Sequence, residues 1–127
     1  MDMQELINKI EAVSQKYSKQ YKIKRNPSWF LLKLQEEVGE LTQCYLMMTG
    51  RGRAKNKSKS ALRADFEKEI ADVFCHVLLL ARANGVDVEK AIDDKWLTWY
   101  KKLKKNKNQK DVNKQQNKKE ISRKRVK

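Results

Sequence analysis

Two pairs of acidic residues in this 127-residue chain repeat one spacing. Glu37 and Glu40 stand three apart within Glu36-Glu37-Val38-Gly39-Glu40, and Glu69 and Asp72 stand three apart within Glu69-Ile70-Ala71-Asp72. A helix advances about 100° per residue, so each pair lies along one border of its helix's apolar face. Two such helices packed as neighbours bring four carboxylates toward one point. Hard divalent cations select oxygen ligands, and Mg²⁺ is typically held by carboxylates together with substrate phosphates, with Mn²⁺ a possible substitute. Acids on a helix are ordinarily solvated. The repeated spacing and the position beside the packing seam set these apart. Gly39 adds to the pattern: glycine inside a helix costs about 1 kcal/mol relative to alanine and usually marks a close approach. A di-iron carboxylate site would need Glu-x-x-His on its helices. The only histidine, His76, follows Asp72 by four residues and Glu69 by seven, which does not supply that motif.

Helices are what must position these acids. Leu6, Ile10, Val13, Tyr17 and Tyr21 form one helical stripe over residues 2–22. Asn26-Pro27-Ser28 breaks it, and Ser28 can cap a second helix over 29–48. The seam of that helix is Leu34, Val38, Leu41, Tyr45 and Met48. Gly50 closes it, and the basic loop RGRAKNKSKS follows over 51–60. A third helix over 61–84 buries Phe66, Ile70, Val73, Phe74, Val77 and Ala81, and Asn84-Gly85 stops it. Asp87 can cap a fourth, with Ala91, Ile92, Trp96, Trp99 and Leu103 as its stripe. The expectation is an all-α, antiparallel four-helix bundle over 1–105. Residues 106–127 read as a disordered or loosely helical basic tail.

Charge is placed unevenly. The chain carries +14, of which residues 101–127 hold 13 Lys/Arg against 2 acids, while the first 100 residues carry only +3. The tail suits weak, non-specific nucleic-acid contact through phosphates. With no aromatic residue after Tyr100, base stacking on single strands gets no support. No apolar run of about 18 residues predicts a membrane span, and the N-terminus lacks the basic-then-apolar order of a signal peptide. Cys44 and Cys75, both in apolar helical sequence, read as reduced core residues of a cytoplasmic protein. Trp29, beside Pro27 at the start of the second helix, is the best placed of three tryptophans to stack on a base.

The runs EEVGEL (36–41) and EIADV (69–73), inside LLKLQEEVGELTQ and FEKEIADVFCHVLLLARANGVDVEKAI, resemble the MazG-like, all-α nucleoside triphosphate pyrophosphohydrolases. The similarity covers roughly residues 28–100. It implies Mg²⁺-dependent hydrolysis of a (deoxy)nucleoside triphosphate to monophosphate and pyrophosphate, by a homodimer or homotetramer whose bundle is completed by dimerisation. By position, Glu37, Glu40, Glu69 and Asp72 match the metal-binding acids. Glu36 matches the first Glu of the signature and, with Glu37, takes the catalytic place beside the water. His76 and Lys95 match residues that face the nucleotide. The family follows that lysine with an Asn and a basic-Tyr-Pro ending. Here Trp99 stands in the Asn register, no Tyr-Pro follows, and Asn106 reaches that place only on a last helix two turns longer. The competing expectation is a basic-tailed helical nucleic-acid-binding protein without catalysis. A helical scaffold without chemistry is a third.

Overall fold

Asp2 begins the first helix, α1 (Met3–Gln20), by accepting the Glu5 N–H at 2.7 Å. Helix α2 (Pro27–Met48) is capped by Asn26, whose side chain accepts the Trp29 N–H at 2.9 Å. The start thus lies two residues ahead of the expected one, and Asn26 takes the role expected of Ser28. Pro27 is suited to the first helical position, where a missing N–H costs nothing and the fixed φ is already helical. Helix α3 (Lys59–Ala83) is capped by Ser58, which accepts the Ala61 N–H at 3.2 Å. Helices α2 and α3 end alike. Gly50 (φ 78°) and Gly85 (φ 65°) take the left-handed turn, and the next residue donates back into the last turn, Arg51 to Leu46 at 2.7 Å and Val86 to Ala81 at 2.8 Å.

The computed structural model describes residues 1–54 and 56–125. Lys55 of the basic loop, and Val126 and Lys127 of the tail, lie outside the described residues. Among those described, the chain is all-helical, with no strand, and no helix is long and apolar enough to cross a membrane. It divides into two units, residues Met1–Val88 and a second beginning at Glu89.

In the first unit α2 and α3 form an antiparallel hairpin and α1 lies against α3. The core is small: Leu78 is completely buried, and Ile7, Phe30, Leu62 and Leu79 are the other buried apolar side chains among the described residues. The face that α1 packs is not its apolar stripe. Ile7, Glu11 and Ser18 are buried, whereas Val13 is 70% and Tyr21 57% exposed. The reason is electrostatic. Glu11 accepts a hydrogen bond from Arg25 of the α1–α2 connection and pairs with Arg82 of α3 at 3.3 Å, which turns the helix about one residue from the register its apolar pattern indicates. Val38, Tyr45, Ile70, Phe74 and Val77, expected in the seams, also remain 38–47% exposed. A three-helix unit has more apolar surface than it has partners to cover it.

From Glu89 the second unit is one helical stretch: the rest of α4 (Val88–Ile92), a π-helical turn (Asp93–Leu97) and α5 (Thr98–Arg125). The structure carries the helix through 105/106, where the composition reads as the start of a tail. Lysine, glutamine and arginine are good helix formers, and neither glycine nor proline occurs after Gly85. Trp96, Trp99 and Leu103, expected on a buried stripe, are exposed.

Candidate metal centre and adjoining cleft

Glu37 and Glu40 of α2 and Glu69 of α3 each place a carboxylate oxygen within 4.8 Å of the others. The antiparallel hairpin accounts for this meeting. Going down α2 and up α3, Tyr45 faces Phe66, Glu40 comes near Glu69, and Glu37 faces His76. Glu37 is buried, Glu69 half-buried and Glu40 exposed. Glu37 Oε2 and Glu69 Oε2 are buried without a hydrogen-bond partner. Buried polar atoms are normally satisfied, so two orphaned acceptors in one cluster of negative charge need an explanation. The donor set fits a hard divalent cation, which would give both oxygens a partner.

Asp72, the fourth acid predicted from the sequence, is exposed and stands outside this group of three. Its charge still reaches Glu37 and Glu69. Glu36 faces solvent and meets Lys33 Nζ at 3.3 Å, apart from the other carboxylates. Lys33 also approaches Glu37 Oε1 at 3.5 Å, and His76 Nε2 lies 4.0 Å from the same oxygen.

Burial, then the charge of Glu40, lifts the Glu37 carboxyl to about 7; Asp72 adds to this and Lys33 opposes it. Glu69 is pushed up by burial and then by Asp72 and Glu40. His76 is pushed down by burial and by Lys33, which favours a neutral imidazole near pH 7. A carboxyl whose folded pKa exceeds its unfolded value stabilises the fold below the unfolded pKa, and that contribution is lost as pH rises through the folded one. The metal-free protein is therefore expected to lose about 1–3 kcal/mol from Glu37 between pH 4.5 and 8. Because a ligand carboxylate must be deprotonated to bind, Mg²⁺ should raise Tm at pH 8 and much less at pH 5. Thermal melts with and without Mg²⁺ at both values test this. Equal Mg²⁺ shifts at the two pH values would contradict it.

A cleft of about 480 Å³ adjoins the carboxylates, with Glu37, Asp72 and Lys33 on its lining. Ile10, Val13 and Tyr17 of α1 form an apolar wall, and Trp29 and His76 line it as well, their rings edge-on at 6.1 Å. Trp29 and His76 are the cleft residues expected from the sequence; Lys33 and the α1 wall are additions of the structure. Lys33 was legible as the residue four before Glu37. Ile10, Val13 and Tyr17 form a helical stripe in the sequence, a pattern that does not by itself mark a cleft wall. Lys95, on the π-helical turn, and Asn106, on α5, belong to the second unit and are exposed there. In the α2–α3 loop, Lys57 pairs with Asp65 at 2.7 Å and Arg51 lies 5.4 Å above the Tyr45 ring.

The chain matches no family model, no curated protein and no solved structure.

Proposed function

We propose that the chain is a Mg²⁺-dependent nucleoside triphosphate pyrophosphohydrolase of the MazG-like type. One observation carries the reading: three carboxylates from two antiparallel helices converge, two of them with buried, unpartnered oxygens, beside an apolar cleft large enough for a nucleoside. Glu37, Glu40 and Glu69 would hold the ion, with Asp72 at the border. A bound divalent ion supplies charge neutralisation for the phosphates at such a site. The chain's own groups do the rest. Trp29, Tyr17 and His76 offer ring faces and edges to a base, and Lys33 offers an ammonium to a phosphate. The resemblance assigns the proton of the attacking water to Glu36, which in the structure faces solvent beside Lys33, outside the cleft lining. Attack at the α-phosphorus forms one P–O bond and breaks the α–β bridge, so pyrophosphate leaves with the bridging oxygen.

The apolar rows left exposed on α2 (Leu31, Val38, Tyr45) and α3 (Ile70, Phe74, Val77) support a second part of the proposal. Exposed apolar surface of this extent marks an interaction face, and a second copy burying it would complete a four-helix arrangement. The test is pyrophosphate release from a panel of canonical and damaged dNTPs with Mg²⁺, run on material whose mass is measured by light scattering. Turnover by a species of twice 15.0 kDa, or a higher multiple, is expected. No release from any nucleotide would sink the enzymatic reading, and an active monomer would sink the dimer.

A further inference from the structure

Helix α5 has chemistry that the proposed hydrolase does not use. Residues 101–125 carry twelve Lys/Arg against Asp111 and Glu120. Residues 98–124 of the helix are exposed, and among them no carboxylate pairs with a cation. Lys107, Lys110, Lys114 and Lys118 are spaced 3, 4 and 4, which puts them on one face over about 17 Å. Lys101, Lys105, Lys119 and Arg123 fall on the roughly opposite face. Like charges three and four apart destabilise an isolated helix, so this helix gains order from a partner that supplies negative charge along its length.

We propose that α5 docks on the phosphate backbone of a nucleic-acid duplex. Such a duplex presents one negative charge per ~1.7 Å of axis, and releases counterions when lysines neutralise it. Three features favour this partner. Ten of the twelve cations are lysines, point charges that hold phosphates without reading base edges. Beyond Leu103 the only apolar residues on the described helix, Val112 and Ile121, are nine apart and so on opposite faces, which leaves no apolar side to lie in a bilayer. The exposed aromatics Trp99 and Tyr100 stand at the start of α5, with Lys102 and Lys104 over their rings at 4.6 and 5.1 Å, and none is interleaved among the later lysines to stack on single strands. Binding is therefore to shape and charge, without sequence preference.

The test is fluorescence anisotropy of a labelled, mixed-sequence DNA duplex of roughly two helical turns with the full chain, between roughly 50 and 200 mM KCl. The expected result is an affinity that falls linearly in log–log form, is the same for a scrambled duplex, and is accompanied by a gain in helix signal. Changing Lys107, Lys110, Lys114 and Lys118 together to Gln, which keeps helix propensity, should weaken binding at least ~10-fold and flatten the slope by about 3–4. Unchanged pyrophosphate release in that variant would show that the fold is intact. No binding at ~50 mM salt, or an unchanged slope in the variant, overturns the proposal. So does binding to phosphatidylserine vesicles with none to the duplex, which would assign the helix to a membrane surface.

Discussion

Glu69→Ala is expected to lower Mg²⁺-dependent pyrophosphate release by at least ~100-fold, the scale on which losing one charge-stabilising group acts in a preorganised site. The same variant should melt no lower than the parent in EDTA. These two outcomes follow from one geometry. In the metal-free protein Glu69 is half-buried, its Oε2 has no partner, and the charges of Asp72 and Glu40 push its carboxyl up. Removing it relieves repulsion and an unsatisfied acceptor, both of which cost stability. With a cation present the same oxygen becomes an asset. Loss of function together with unchanged or raised apo-stability is therefore the signature of a metal ligand, as opposed to a packing residue. A destabilised, inactive variant would instead make Glu69 structural. Full activity would remove the carboxylate cluster from the chemistry. Glu40→Ala, on the exposed side of the group, should repeat the loss of activity with little change in Tm.

The helices and their ends were largely legible in the sequence, because stop signals at Gly50 and Gly85 and caps at Ser, Asn or Asp act within a few residues. Glu37, Glu40 and Glu69 could be placed together for a similar reason: their i, i+3 spacing and an antiparallel hairpin fix their positions to within a turn. What was not legible depends on long-range choices. The exclusion of Asp72 from the 4.8 Å group turns on a fraction of a helical rotation, which spacing does not resolve. The α1 wall of the cleft was hidden because apolar residues at helical spacing read as core. A buried acid bound by two arginines outweighed that pattern. The part of α5 beyond residue 105 reads as a disordered or loosely helical tail, since lysine-rich sequence without an apolar face satisfies the criteria for a tail and for an exposed helix alike.

That buried acid carries the largest expected effect on stability. Glu11 is 6% exposed and joins Arg25 of the connection, 18% exposed, and Arg82 of α3, 46% exposed. Arg25 also donates to Ser14 Oγ at 3.2 Å and stacks over Phe30 at 5.3 Å, so its guanidinium is committed to this place. Glu11→Ala leaves that largely buried cation without its counter-charge. Breaking a buried pair in this way costs about 3–5 kcal/mol, and the exposure of Arg82 argues for the lower end. A cost of about 3 kcal/mol corresponds to roughly 12–24 °C in Tm for a unit of this size. Glu11→Gln keeps an acceptor for Arg25 and should cost about half as much. Arg82→Ala, which gives up only an exposed contact, should cost about 1 kcal/mol or less. Thermal melts of the three variants at pH 7 test the order, and a Glu11→Ala protein that melts within ~2 °C of the parent would contradict it. The consequence reaches the cleft. Glu11 fixes the rotation of α1, and that rotation presents Ile10, Val13 and Tyr17 to the space beside the carboxylates. In Glu11→Gln at temperatures below its melt, the expected change is a raised KM for the nucleotide with kcat nearly kept, because the altered element is the apolar wall and not the cluster of Glu37, Glu40 and Glu69.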